Sequence, residues 1–504
     1  MLIKRVFAAF AALMITLASC SASALSAPAR DDIATEKIVF NNPDFIRGMD
    51  VSSVLSLESS GVSFKNAEGK TEDIFKLLSD SGVNYIRVRV WNDPYDSEKN
   101  GYGGGNSDVA KAARIGRRAA ENGMKLLVDF HYSDFWADPS KQKAPKAWEG
   151  LSLSEKAVKL SEFTKSSLTE IKNAGADIGM VQIGNETNNG IAGESGFDSM
   201  AVLFGAGARA VREFDGSALV ALHFTDPENA DAMKWIADTL AEKKVDYDVF
   251  ASSYYPYWHG SLDNLTDVFS YISDTYGKYT MVAETSYAYS LDDFDGHGNT
   301  VSRWNNSSGE NLLWSFTPQG QANEVESVMK AVNSVGEKGL GVFYWEGAWI
   351  TVGDVSGLSG DEYNKKLAEN KSLWESFGSG WASSFSVEYD PDDAGVYCGG
   401  SAVDNQAFFD KNGQALPSLN VFKNVLTGSL CEDVLSGDAD GSNEVNINDA
   451  TLIQLALINR AELGADALLR ADVDRDLDVD INDATLIQRY LARYNDGFGI
   501  NTKR

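Results

Sequence analysis

Met180-Val-Gln-Ile-Gly-Asn-Glu-Thr-Asn-Asn-Gly190 is a short apolar run that ends in a carboxyl and is then broken by polar turn formers. Met180 to Ile183 reads as a buried strand. Glu186 follows at its mouth, where an ionisable group is costly to bury unless the site uses it. Tyr279-Thr-Met-Val-Ala-Glu-Thr285 repeats the pattern and places Glu284 at the end of a second apolar strand. Alone, either glutamate could be a strand-end residue in a surface ion pair. Together they suit an acid–base and nucleophile pair.

Outward from these two stretches the chain alternates strands and helices. Strands are expected at Phe45–Val51, Tyr85–Trp91, Lys125–Tyr132, Met180–Glu186, Ala218–Thr225, Tyr247–Pro256, Tyr279–Thr285 and Leu340–Glu346. Amphipathic patterns fill the gaps: Glu72–Ser81, Val109–Asn122, Ser154–Asn173, Ser199–Phe214, Asn229–Lys244, Leu265–Tyr276 and Glu324–Val335. Such alternation implies parallel pairing through crossovers, the α/β class. Eight units suit a (β/α)8 barrel. A doubly wound open sheet is the rival, but no Gly-rich phosphate loop follows the first strand. Polar and aromatic residues gather where strands end: Asp50, Arg89, Trp91, Asp129, His131, Asn185, His223, Tyr254, Tyr255, Trp258, Trp345 and Glu346. A barrel places its catalytic groups at those ends, and aromatic faces with polar edges suit sugar rings.

The chain has 504 residues with 43% hydrophobic and 11% aromatic content, enough for a large packed domain plus a small one. A net charge of −29 argues against nucleic acid as a partner. Residues 1–24 read as a secretory leader, with Lys4 and Arg5 before the apolar run Val6–Ala18, which is too short to span a bilayer. Ala22-Ser23-Ala24 offers a signal peptidase site. Leu17-Ala18-Ser19-Cys20 resembles a lipobox, which would anchor the chain as a lipoprotein through Cys20. Both routes predict an extracellular protein, and no later segment is apolar enough to cross a membrane. Pro28–Lys37 reads as a flexible arm. Cys398 and Cys431 could pair or stay free, and neither has metal-ligand spacing.

The motifs Gly48-Met-Asp-Val-Ser-Ser53, Ile86-Arg-Val-Arg-Val-Trp-Asn-Asp-Pro94 and Val128-Asp-Phe-His-Tyr-Ser-Asp-Phe-Trp-Ala-Asp-Pro139 resemble the family 53 glycoside hydrolases. So do Ser253-Tyr-Tyr-Pro-Tyr-Trp-His-Gly260, Phe316-Thr-Pro-Gln-Gly-Gln321 and Gly341-Val-Phe-Tyr-Trp-Glu346. The resemblance covers a catalytic domain over 38–427 and implies a secreted, retaining endo-β-1,4-galactanase of the clan-A TIM-barrel type. It implies Glu186 as acid/base, Glu284 as nucleophile, and Asn185 on the sugar 2-hydroxyl. Arg89 is expected to hydrogen-bond the nucleophile, and Trp91, His131, Tyr254, Tyr255 and Trp345 to line the subsites. It also implies one barrel calcium held by Asp293, Asp295, His297 (through its carbonyl), Asn299, Ser401 and Asp404, with donors at alternate positions as a hard cation needs. Another clan-A endo-glycanase, a mannanase or endoglucanase, is the alternative within enzymes. A non-catalytic galactan-binding subunit is the alternative outside them. The stretch Gly353–Leu373 looks like an insertion of open role.

Composition shifts at a linker, 428–433, into a repeated module over 434–497. Ile-Asn-Asp-Ala-Thr-Leu-Ile-Gln occurs twice, 34 residues apart, each time after an Asp-rich loop. Loop ligand positions are Asp438, Asp440, Ser442, Asn446 and Asp449 in the first copy, and Asp472, Asp474, Asp476, Asp480 and Asp483 in the second. Clustered carboxylates at these spacings repel unless a cation neutralises them. Asp at position 12 and the lack of Gly at position 6 exclude an ordinary EF-hand. The module is similar to a dockerin, a small all-α domain that binds two calcium ions and docks on a cohesin domain of a cellulosome-like scaffold protein. That resemblance implies a binding face at Ile447, Asn448, Gln454 and Leu455, matched by Ile481, Asn482, Gln488 and Arg489.

Overall fold

The computed structural model describes residues 25–26, 33–429, 435–474, 478–494 and 500. The leader with Cys20, most of the linker with Cys431, and Asp476 lie outside the described residues. The chain divides into two units, 30–431 and a second made of 1–29 with 432–504.

The larger unit is a closed, all-parallel barrel of eight strands. They are β1 (Ile46–Asp50), β2 (Tyr85–Val90), β3 (Lys125–Phe130), β4 (Ile178–Ile183), β5 (Leu219–Phe224), β6 (Val249–Ser253), β7 (Tyr279–Thr285) and β8 (Gly339–Tyr344), in that order round the barrel. All eight expected strands are present, most a residue or two shorter at the C-terminal end. Glu186, one of the trimmed residues, has already left the ladder.

Strand alternation sorts the side chains. On β2, Ile86, Val88 and Val90 join the apolar layer between strands and helices, while Tyr85 belongs to a separate cluster with Ile46, Leu127, Met180, Met281 and Phe343. That cluster fills the N-terminal half of the barrel interior. Above it the same face of the strands turns polar, with Asp50, Arg87, Asp129 and Gln182 all buried. A packed apolar plug below and a charged layer above leave only the C-terminal end open to substrate. Gly48 on β1 is required by the plug, since a Cβ there would stand 2.2 Å from the Phe343 ring.

Helices begin where the sequence supplies caps. Ser152 and Glu155 form a capping box at Leu153–Asn173, and Asp108 and Ser261 cap Val109–Glu121 and Leu262–Tyr276. The expected helix at Glu324 instead starts at Pro318, capped by Thr317, because proline at the first position has the helical φ and lacks only a donor the helix does not need. The expected flexible arm is also corrected over its described residues, 33–37. Ile33, Ala34 and Thr35 are buried, Ala34 N–H donates to Gln319 at 2.9 Å, and Thr35 bridges Ser429. The barrel unit therefore reaches beyond 38–427 at both ends. The insertion after β8 carries a helix, Gly360–Phe377, whose Asn370 and Trp374 pack on the loop after β7.

The smaller unit holds two loop–helix repeats. Helices Ile447–Leu457 and Ile481–Leu491 pack on each other, with Ala450, Ile453, Ala484 and Ile487 buried and a third helix, Ala465–Ala471, between them in sequence. Each long helix opens with a capping box, Asn446 with Asp449 and Asp480 with Asp483. A two-residue strand, Asp478–Val479, pairs with Leu25–Ser26.

Candidate active site

A cleft of about 480 Å³ opens at the C-terminal ends of the barrel strands. Glu186, just past β4, and Glu284, at the end of β7, both line it. Gly184 at φ +85° turns the chain out of β4, and Glu186 itself sits at φ +45°. A left-handed conformation costs a non-glycine residue about 1–2 kcal/mol. Tyr132, Asp226 and Glu346 adopt the same region after β3, β5 and β8, so the strain clusters on this face.

The two carboxyls sit in unequal surroundings. Glu284 Oε1 pairs with Arg87 Nη2 at 2.8 Å, and Tyr255 O–H donates to Glu284 Oε2 at 3.0 Å. Among the described residues no cation pairs with Glu186; Ser253 O–H donates to its Oε1 at 2.6 Å. Burial, and then the charge of Glu284, push Glu186 up to about 8. Burial raises Glu284 as well, but Arg87 opposes it most strongly, so the first proton to leave the pair leaves Glu284. One carboxyl is poised as an acid and the other as an anion.

Arg87 is the hub of the charged layer. It reaches Asp50 at 3.1 Å, Asp129 at 2.8 Å and Asn185 Oδ1 at 2.9 Å besides Glu284. Asp129 also accepts from Gln182 at 2.6 Å and faces His131 Nε2 at 3.1 Å. This corrects the expectation for Arg89. That side chain pairs instead with Glu346, at 2.5 Å, and lies 4.3 Å over the Trp136 ring. Both arginines face inward, two residues apart, but Arg87 sits one layer deeper, level with Asp50.

Of the other expected substrate contacts, His131, Asn185, Tyr255, Trp345 and Arg89 line the cleft. Trp91 and Tyr254 do not. Trp91 is fully buried and donates to His131 Nδ1 at 3.1 Å, and buried Tyr254 donates to Gly260 O at 3.1 Å. They support the lining rather than form it. Trp136, Trp349 and Trp381, absent from the expected set, supply much of the wall with Trp258. Trp136 stacks on Trp349 and donates to Trp381 O at 3.0 Å, which ties the loop after β3 to the loop after β8. The motif Phe135-Trp-Ala137 held the only sequence signal for this.

Carboxylate oxygens of Asp293 and Asp295, in the loop after β7, and of Asp404, downstream of β8, lie within 4.8 Å of one another. Asn299 donates to Asp404 Oδ1 at 2.8 Å, while its own buried Oδ1 has no hydrogen-bond partner among the described residues. Ser401 N–H donates to Asp295 at 2.7 Å; the His297 ring turns away toward Trp374. In the small unit, Asp438, Asp440 and Asp449 form one such cluster and Asp472, Asp474 and Asp483 another. Ser442 N–H donates to Asp438, and Asn446 and Asp480 cap their helices. Among the described residues Cys398 is a free thiol.

The family model described as Glycosyl hydrolase family 53 matches residues 46–422. An endo-beta-1,4-galactanase of Bacillus subtilis is 57% identical over 400 residues, 79% of this chain and 90% of its own. An arabinogalactan endo-beta-1,4-galactanase of Cellvibrio japonicus is 34% identical, over 63% of this chain and 84% of its own. Among solved structures, the Ignisphaera aggregans GH53 catalytic domain superposes with a TM-score of 0.65 at 35% identity, covering 77% of this chain and 99% of its own.

Proposed function

Because the chain belongs to glycosyl hydrolase family 53, we propose that it is an endo-β-1,4-galactanase that cuts the (arabino)galactan side chains of pectin with retention of configuration. The observation that carries this reading is the asymmetric pair in the cleft: Glu284 tied to Arg87, Glu186 without a cation. Glu284 attacks the anomeric carbon while Glu186 gives its proton to the departing glycosidic oxygen. Glu186 then takes a proton from water, which adds to the anomeric carbon and frees Glu284. A retaining enzyme needs carboxyls about 5–5.5 Å apart, and the charge of Glu284 adds to burial in raising Glu186. Asn185 would bond the 2-hydroxyl, and Trp136, Trp345 and Trp349 would stack on galactose rings.

A neutral glycan suits this cleft better than a uronate chain. The cations lining it, Arg87, Arg89 and Lys141, each face a carboxylate of the protein, and Asp138 and Asp226 add negative charge.

Calcium fits three places. In the barrel unit Asp293, Asp295, Asp404 and Asn299 would hold it, with Ser401 and the His297 carbonyl nearby in sequence; the orphaned Asn299 oxygen beside crowded carboxylates supports this. The ion would neutralise that crowd and stiffen the loop beside the cleft. The two aspartate clusters of the small unit would take one calcium each. Exposed Ile447, Leu455 and Ile481 on its helices support a dockerin face for a cohesin on a cellulosome-like scaffold. Export through the leader, with Cys20 as a lipid anchor or cleavage before Leu25, completes the proposal.

Product release from linear β-1,4-galactan, mannan, xylan and cellulose, for wild type and Glu284→Ala, tests the reading. Galacto-oligosaccharides from wild type alone are expected. Cleavage of another glycan only would move the substrate, and binding without cleavage would leave a galactan-binding subunit.

A further inference from the structure

The proposed acid/base does not stand alone in the barrel wall. Ser253, which donates to Glu186 Oε1 at 2.6 Å from the end of β6, has its Oγ 2.9 Å from His223 Nε2 at the end of β5. Both Ser253 and His223 are fully buried. His223 Nδ1 in turn lies 3.1 Å from Gln182 Nε2, 3.4 Å from the Glu186 backbone nitrogen and 2.9 Å from Asn185 Oδ1. Burial first, and then Arg87, hold His223 well below the usual imidazole range, so the ring is neutral and carries one proton.

Where that proton sits follows from what Ser253 can give. The serine hydroxyl has a single hydrogen and two neighbours. When Glu186 is ionised, as the second step requires, a bond to its carboxylate is about twice as strong as one to a neutral imidazole, and the Glu186 contact is also the shorter. The hydroxyl therefore goes to Glu186, and His223 Nε2 must donate to Ser253. Nδ1 is left as an acceptor, facing the Glu186 backbone N–H and the Gln182 amide, one of whose two hydrogens goes to Asp129 at 2.6 Å while the other is shared with Gly184 O at 3.0 Å. Asn185 Oδ1, at 2.9 Å, is the neighbour that favours the opposite tautomer, and Arg87 takes one of its two lone pairs at 2.9 Å.

We propose that Ser253 and His223 are positioning residues for the acid/base. His223, as the Nε2–H tautomer, fixes the Ser253 hydroxyl on Glu186 Oε1, so that Oε2 carries the exchangeable proton into the cleft. The proposal rests on Glu186 being the acid/base. The proton that leaves Oε2 for the glycosidic oxygen in the first step returns to Oε2 from water in the second. Ser253 and His223 keep theirs throughout. The same donated hydrogen bond steadies Glu186 when it is ionised, as the second step requires.

The other charged or titratable groups facing Glu186 are Glu284, Asp138, Asp226 and Tyr255. Those facing His223 are Arg87, Asp129 and His131. Ser253→Ala leaves all of them in place.

Two measurements on the full-length protein test the proposal. With 15N-labelled histidine, of which the chain has four, the wild-type His223 ring is expected as Nε2–H; an Nδ1–H ring overturns the proposal whatever the activity. In Ser253→Ala, kcat on linear galactan is expected to fall ~10- to 100-fold with KM little changed. The basic limb of kcat/KM should move to higher pH, because the ionised form has lost a donor. Ser253→Thr should restore both. With a dinitrophenyl β-galactobioside, whose leaving group needs no proton, kcat/KM should stay within about threefold of wild type. Equal losses on both substrates, or a basic limb that stays or falls, would overturn the proposal. A wild type that cleaves neither substrate would refute the galactanase reading instead, and the ring tautomer would still be decided.

Discussion

Replacing Arg87 with lysine keeps one positive charge in the barrel but removes the guanidinium fork. Arg87 spans Asp50, Asp129 and Glu284 at 2.8–3.1 Å, and a single ammonium cannot hold all three in that geometry. Each charge-assisted bond is worth about 1.5–3 kcal/mol. If the Glu284 bond alone is lost from the transition state, kcat/KM falls roughly 10- to 150-fold. Arg87 is also the strongest influence holding Glu284 down against burial, so its loss raises the Glu284 pKa. The acid limb of kcat/KM against pH then moves up. The assay is a pH series of initial rates on linear galactan, with thermal melts to verify folding. Arg89→Lys is the comparison: it disturbs Glu346 and the Trp136 face and leaves the acid limb in place. An acid limb that moves in Arg89→Lys and not in Arg87→Lys would refute the reasoning.

With Glu186 pushed up to about 8, wild-type kcat/KM should hold to near pH 8 before its basic limb falls; a limb below pH 6 would contradict that assignment. Burial alone pushes Glu324 up to about 8, against about 4.3 for an unfolded glutamate. A folded pKa raised in this way gives stability that is complete below about pH 4 and lost as pH rises through 8, a loss by linkage of up to ~5 kcal/mol. Glu324→Gln should therefore raise the melting temperature at pH 8 and change it little at pH 4.5, and equal shifts at both would refute this. Chelation with EDTA should shorten the half-life of wild-type activity on heating. Asp404→Asn, which removes a charge from the barrel cluster, should already be short-lived and respond little; a full wild-type response would place the calcium elsewhere.

Much of the barrel was legible because buried parallel strands are near-continuous apolar runs, and Glu186 and Glu284 each punctuate one. The alternation on β2 identified two inward arginines but could not rank them, since depth in the barrel depends on register with β1 and β3. Register is a long-range property, so the outermost arginine looked nearest the nucleophile when the deeper one was. Trp136, Trp349 and Trp381 lie in irregular loops with no period to read, and they meet only because two loops more than 200 residues apart in sequence are tied together. Trp91 and Tyr254 misled for the converse reason: an aromatic next to a strand end can point under the cleft as easily as into it. In the smaller unit the spacing anticipated the two aspartate clusters, Asp438 with Asp440 and Asp449 and Asp472 with Asp474 and Asp483, because their members lie close together in sequence.

The anomeric configuration of the first products, followed by 1H NMR during the opening minutes of galactan hydrolysis, tests the double displacement most directly. β-Anomers that later mutarotate are the predicted result, since Glu284 must first form a covalent glycosyl intermediate. α-Anomers appearing first would mean that water attacks directly, and would contradict the roles given to Glu284 and Glu186.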